Sequence, residues 1–179
     1  MPKLMHLYCT YQEDNPFVYT RELSCEGKMI LEDDGWFEGL LDNQERGDLR
    51  KNLIFGYYYP NKEIDLYRIM TKSILRPPHH YKGNIVGNRF EGPIMMGNVD
   101  WGNGYLCFTE ESYSNDKLLN EIAHQIDDYK YICLVGSLRY LYQNMYSERE
   151  KRQKELESQS EPNNEFNEEV SLLKKKKYK

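Results

Sequence analysis

The stretch NLIFGYYYPNKEIDLYRIM, residues 52–70, predicts a β-hairpin and decides the fold class. Residues 52–59 are dense in aromatic and β-branched side chains, which favour strands. Pro60-Asn61-Lys62 then turns the chain. Residues 63–70 alternate between apolar and polar positions, with Arg68 standing in the apolar series. Two adjacent strands joined by a short turn indicate an antiparallel sheet.

Similar segments lie on both sides of this hairpin. Strands are predicted at residues 4–12, 17–31, 36–42, 81–86, 88–96 and 105–109, with a hairpin turn at Glu26-Gly27 inside the second. Residues 43–51 are predicted to form an exposed loop, and residues 97–104 a turn-rich segment. About eight or nine short strands at this spacing favour a small antiparallel β-barrel or a strongly curved sheet. The pattern resembles lipocalin-like up-and-down barrels in strand number and connectivity.

The chain changes character after residue 112, so the predicted class is α+β and mainly β. Residues 1–112 form the barrel-like region, residues 113–157 a helical segment packing on it, and residues 158–179 a disordered polar, Lys-rich tail. Apolar residues at helical spacing begin at Leu118, with a break expected at Asp127-Asp128 and a second helix from about residue 130. Residues 130–136 are compatible with a strand as well as with a helix, and the sequence does not decide between the two.

Charge and cysteine usage restrict the compartment and the partners. The net charge of −5 argues against binding of nucleic acid, and the sequence has no apolar run long enough to span a membrane. The four cysteines (Cys9, Cys25, Cys107 and Cys133) form no C-x-x-C pair, so reduced thiols are expected. These observations, with the absence of a secretory signal pattern, favour a cytoplasmic protein.

The aromatic–Glu–Gly triplet occurs twice, at Phe37-Glu38-Gly39 and at Phe90-Glu91-Gly92. Strand periodicity places the two phenylalanines on one face and the two glutamates on the other. The glycines then suit bends in a curved sheet. Glu38 and Glu91, with Asp100, are nevertheless weak candidates for the acid and base of a carbohydrate-type hydrolase, which needs two carboxylates across a cleft.

The sequence has 16 Tyr against 6 Phe, which favours half-buried aromatic surfaces. The leading hypothesis is a non-enzymatic binding or interaction module that uses a cavity or sheet surface for a small apolar or aromatic-stacking ligand. The candidate ligand-binding residues are Trp36, Tyr57, Tyr58 and Trp101. The alternatives are the hydrolase and an assembly protein that pairs with a partner, or with itself, through residues 118–145. No cofactor or metal site is predicted, because no ligand spacing or phosphate-binding loop occurs.

Overall fold

The computed structural model describes residues 1–13, 21–43, 50–70, 77–112 and 115–160. Eight antiparallel strands form a closed barrel in sequence order, and β1 pairs with β8 to close it. The strands are β1 (Lys3–Glu13), β2 (Arg21–Leu31), β3 (Trp36–Asn43), β4 (Arg50–Tyr58), β5 (Glu63–Met70), β6 (His79–Asn84), β7 (Arg89–Met96) and β8 (Val99–Glu110). The predicted barrel is therefore confirmed.

The turns at one end of the barrel are short and bonded to one another. The β2–β3 turn, the β4–β5 turn and the β6–β7 connection all lie there. Tyr58 N–H donates to the Gly35 carbonyl, and Ile85 N–H donates to the Lys62 carbonyl, at 2.8 and 2.9 Å. At the opposite end, the connections are residues 14–20, 44–49 and 71–76, which lie outside the described residues, and the Gly97–Asn98 turn.

Alternate residues of every strand face the interior, which is filled by side chains, as expected for an eight-stranded barrel. Near the short turns the interior is apolar and aromatic, and the rings of Tyr58 and Phe108 stack there at 4.3 Å between centroids. Phe37 and Phe90 are buried in the same core, so the predicted facing of the two triplets is correct. The polar members of the interior lie nearer the other end.

Three predictions about the strands are wrong. No turn occurs at Glu26-Gly27, because β2 runs through both residues, and Gly27 allows backbone of β3 to approach: a Cβ there would lie 1.9 Å from the Leu40 carbonyl oxygen. Residues 97–104 are mostly strand, since β8 begins at Val99 and Gly104 makes room for the Tyr81 ring. The loop expected at 43–51 is shorter, because β3 extends to Asn43 and β4 begins at Arg50.

Two helices follow the barrel, α1 (Asp116–Cys133) and α2 (Ser137–Ser160). The Asn115 side chain caps α1 by accepting a hydrogen bond from Leu118 N–H at 2.8 Å. The break expected at Asp127-Asp128 is wrong, since both residues are exposed and the helix continues to Cys133. The break lies instead at Gly136, whose φ of +55° is the left-handed conformation that ends helices. Residues 130–133 are therefore helix, and no strand forms there.

The chain divides into two units, Met1–Gln143 and Asn144–Lys179. Within the second, residues 144–160 continue α2 and carry an exposed ion pair between Lys151 and Glu148 at 2.7 Å. The predicted disordered tail begins in the last turn of α2, and residues 161–179 lie outside the described residues.

Neither helix in the described part of the chain combines the length and the apolar character needed to cross a membrane.

Candidate functional site

A polar cluster lies inside the barrel, nearer the end opposite the short turns. It comprises Arg68 on β5, Tyr11 and Cys9 on β1, Cys25 on β2, and His79 and Tyr81 on β6. All six are buried, and Arg68 has no exposed surface. Strand periodicity places Arg68 inside, because it follows Ile64 and Leu66 at every second position and both of those are core residues.

Two tyrosines hold the guanidinium of Arg68. Its Nη1 donates to the Tyr81 hydroxyl at 3.4 Å and its Nη2 to the Tyr11 hydroxyl at 3.2 Å. The guanidinium also lies 4.6 Å from the centre of the Tyr11 ring. Burial holds the pKa of Tyr81 well above its ordinary value, so its hydroxyl stays neutral. Tyrosine hydroxyls orient this charge without neutralising it.

The Arg68 guanidinium carries more N–H donors than these contacts use. Its Nε is buried and has no hydrogen-bond partner, and no carboxylate of the described residues pairs with it. Buried charges in proteins are normally paired, because removing an ion from water costs several kcal/mol. Arg68 is therefore a fully buried guanidinium that keeps at least one unused N–H donor.

Two thiols complete the cluster. Cys9 and Cys25 are directly opposite in the β1–β2 ladder, and Cys9 Sγ lies 3.7 Å from the Tyr81 hydroxyl. Hydrogen bonding to Cys9 and, to a smaller extent, the charge of Arg68 lower the pKa of Cys25 to about 7, against the opposing effect of burial. The same pairing, together with burial, raises the pKa of Cys9. Near neutral pH a partly ionised Cys25 therefore supplies some negative charge to Arg68.

The predicted ligand-binding residues do not share one cavity. Tyr58 faces the interior, whereas Trp36 and Tyr57 face outward and are buried, with ring centroids 5.2 Å apart. Trp36 also packs edge-on against Tyr142 of α2, at 6.1 Å. Trp101 is half-buried in β8, a separate part of the barrel wall. The structure therefore distributes these four aromatics over the core and the outer surface.

The structure does not bring Glu38 and Glu91 together. Both point away from the interior, on β3 and β7, which three strands separate in either direction around the barrel. Glu38 bonds Lys130 of α1 at 2.8 Å, Tyr142 of α2 and the Trp36 indole N–H at 3.3 Å. Glu91 is exposed, and so is Asp100. Glu38 thus anchors helices to the barrel wall.

The helical stripe predicted for assembly lies partly against the barrel. Ile126 and Cys133 are buried, and α1 contacts β2, β3 and β4. Tyr131, Ile132 and Tyr140 are exposed near the junction of the two helices. Beside α1, a cleft of about 270 Å³ carries side chains of both charges, including Lys28, Lys51, Glu26 and Asp42. Its mixed charge selects no class of ligand.

Among the described residues, no cluster of three or more His, Cys, Asp or Glu side chains could hold a metal ion. Comparisons with protein-family models, with curated proteins and with solved structures found no significant match.

Sequence reasoning missed the residues of the polar cluster, although one signal was present. Arg68 occupies an apolar phase of the alternating segment 63–70. A charged residue in an inward phase must be buried once the sheet closes, so the alternation alone could have made Arg68 a candidate site residue. Tyr11, Tyr81 and the thiols gave no comparable signal, because their types are ordinary in a core.

Proposed function

We propose that this protein binds a small organic carboxylate inside the barrel, with Arg68 as the charged contact and Tyr11 and Tyr81 as orienting hydroxyls. One observation carries the proposal: the Arg68 guanidinium is fully buried, its Nε has no partner, and no described carboxylate neutralises it. A carboxylate matches the planar donor fork of a guanidinium and forms charge-assisted hydrogen bonds with it.

The energetics support a ligand more than a structural role for this charge. A buried ion contributes little to stability unless its partner is well placed, and the groups whose charge acts on Arg68 among the described residues are thiols and tyrosines. The Cys25 thiolate is half-populated at a pH of about 7 and so compensates Arg68 only in part. An anionic ligand would supply the missing charge in a low-dielectric site, where the attraction is strong.

The surroundings of Arg68 favour a small ligand with an apolar part. Leu66, Ile54 and Ile94 face the interior beside the cluster and are almost fully buried. The aromatic core fills the barrel towards the short turns, so the proposed ligand would have to enter the polar layer, whose side chains must move apart to admit it. This proposal keeps the predicted class of function, a non-enzymatic binding module, and moves its site from the outer aromatics to the interior.

Isothermal titration calorimetry tests the proposal with hexanoate, benzoate, hexyl phosphate and the neutral hexanol. We expect one of the carboxylates to bind wild-type protein and hexanol not to bind. Arg68→Met should abolish this binding, whereas Arg89→Met, at an exposed position on β7, should preserve it.

Three results would contradict the proposal. They are unchanged carboxylate affinity in Arg68→Met, equal affinity for hexanol, and no binding of any acid together with no retained acid in native mass spectrometry. Preferential binding of hexyl phosphate would keep the anion site and replace the proposed ligand class.

A further inference from the structure

Cys9 and Cys25 form a buried pair of thiols on adjacent strands. They are register partners in the β1–β2 ladder, and both side chains face the interior. Neither participates in a disulfide. Their relative exposures are 0% and 3%, so each thiol meets mainly the other members of the polar cluster.

We propose that Cys9 and Cys25 are a redox-active pair, in which hydrogen peroxide oxidises Cys25 and Cys9 then closes a reversible cross-strand disulfide. This activity is separate from carboxylate binding and does not depend on it. It requires that the two sulfur atoms can reach each other, that one thiol is activated, and that the other is placed to resolve the product.

The ladder geometry satisfies the first requirement. Directly opposed residues in antiparallel strands have Cα atoms about 4.5–5.5 Å apart. Disulfides span Cα separations of about 4.4–6.8 Å, so the register alone brings Cys9 and Cys25 within bonding range. Because both side chains point to the same face of the sheet, no strand needs to rotate or slip for the bond to form.

The electrostatic surroundings distinguish the two thiols. Hydrogen bonding to Cys9 lowers the pKa of Cys25 to about 7, and the positive charge of Arg68 acts in the same direction. The pKa of Cys9 is raised by the same interaction with Cys25 and by burial. The thiolate is the nucleophile in thiol chemistry, so Cys25 attacks first and Cys9 keeps its proton.

The proposed reaction balances in two steps. The Cys25 thiolate attacks one oxygen of hydrogen peroxide, the O–O bond breaks, and the departing hydroxide takes up the proton that Cys25 released on ionisation and leaves as water. Cys25 is now a sulfenic acid. The Cys9 sulfur attacks the Cys25 sulfur, the S–O bond breaks, and the hydroxyl group leaves with the Cys9 proton as a second water. Two thiols are oxidised and one peroxide is reduced, and peroxide is hardly larger than the water molecules that penetrate proteins.

Peptide mapping tests the pairing directly on the wild-type chain. Protein is treated with hydrogen peroxide, alkylated before unfolding, and digested without reductant. We expect a peptide that joins Cys9 to Cys25, a loss of two hydrogen masses from the intact chain, and full recovery on reduction. Cys133 is a matched control, because burial alone raises its pKa to about 11, so Cys133→Ser should leave the crosslink unchanged.

Two variants test the assigned roles. In Cys9→Ser, the Cys25 sulfenic acid has no resolving thiol and should accumulate as a dimedone adduct. In Cys25→Ser, neither adduct nor crosslink should form. The rate of wild-type oxidation should rise with pH through about 7, following ionisation of Cys25.

A wild-type chain that yields no Cys9–Cys25 peptide after peroxide treatment would overturn the proposal, whether or not the variants fold. So would a crosslink that involves Cys107 or Cys133. A dimedone adduct on Cys9 rather than Cys25 would reverse the assigned roles and overturn the mechanism.

Discussion

Replacing Arg68 with methionine separates a binding role from a structural one. Methionine has a similar length and no charge, and it fills irregular core space readily. If Arg68 is retained for binding, Arg68→Met should lose the ligand and keep the fold. If Arg68 holds the barrel together through Tyr11 and Tyr81, the variant should be severely destabilised.

The contacts of Arg68 give the expected magnitude. The variant loses two hydrogen bonds to a charged donor, each contributing about 1.5–3 kcal/mol. It also removes the desolvation cost of a fully buried ion, which is several kcal/mol, and the unpaired Nε, which costs about 1–3 kcal/mol. Tyr81 keeps its contact with Cys9. These contributions nearly cancel, so the free energy of unfolding should change by less than about 2 kcal/mol in either direction.

Urea unfolding at a pH below the Cys25 pKa of about 7 provides the assay, because Cys25 is then protonated and no second buried charge is left behind. Leu66→Ala is the matched control, two residues away on the same inward face of β5. It should lose about 2–5 kcal/mol through the cavity it creates. A loss in Arg68→Met as large as in Leu66→Ala would refute the reasoning and make Arg68 a structural centre.

Three further predictions concern stability. In urea unfolding, the Cys25 thiol should raise the free energy of unfolding by about 2 kcal/mol between pH 7 and pH 9, because folded Cys25 ionises near its pKa of about 7 and unfolded Cys25 only near 9.0. Cys9 and Cys133, whose pKa values are raised in the fold, oppose this rise as the pH approaches 9, because their thiols ionise first in the unfolded chain. Cys25→Ser should remove the rise, and a rise that persists in Cys25→Ser would contradict the assignment. Glu38→Gln should lower the free energy of unfolding by about 1–3 kcal/mol and increase amide hydrogen exchange in α1 more than in the barrel. An equal increase in α1 and in the barrel would exclude an anchoring role. Gly39→Ala should lower the melting temperature more than Gly92→Ala. The new Cβ at position 39 would lie 2.6 Å from backbone of β2, whereas the one at position 92 would lie 3.0 Å from a phenyl ring. Equal effects would count against this packing difference.

Local sequence signals predicted most of the barrel because they match the geometry that the chain adopts. The alternation of residues 63–70 corresponds to β5 with its predicted bounds, and Pro60-Asn61-Lys62 forms the predicted turn. Asn61 even adopts a left-handed φ of +60°, which asparagine tolerates. Such signals depend on a few neighbouring residues and so survive without knowledge of the tertiary fold.

Two of the wrong strand predictions come from glycines whose role is tertiary. Glycine at positions 27 and 104 resembled turn chemistry, but in the barrel each makes room for backbone or a ring from another strand. The Asp127-Asp128 pair resembled a helix break, but both side chains are exposed on a helix that its buried face holds against the barrel. A single sequence does not distinguish a glycine needed for a turn from one needed for close packing.

The candidate site was harder to predict than the fold, because its members come from strands far apart in sequence. Tyr11 and Tyr81 meet Arg68 only when β1 and β6 curve around the same interior. The two aromatic–Glu–Gly triplets also show the limit of local sequence, because the same three-residue pattern places its glutamate in two different environments. Glu38 lies under the helices and Glu91 in solvent, because the helices cover only part of the barrel wall.

Arg68 connects the two proposals and also makes them separable. Its charge is one reason that Cys25 ionises near neutral pH, and among the described residues that thiolate is a partial counter-charge that a bound carboxylate would displace. Arg68→Met should therefore remove carboxylate binding altogether, yet leave Cys9 opposite Cys25 and only move disulfide formation to higher pH. Oxidation of the two thiols should raise the affinity for the carboxylate. A disulfide removes the Cys25 thiolate, which otherwise competes with the ligand for the guanidinium. Carboxylate binding that survives in Arg68→Met would refute the binding proposal alone, and a missing Cys9–Cys25 crosslink would refute the redox proposal alone.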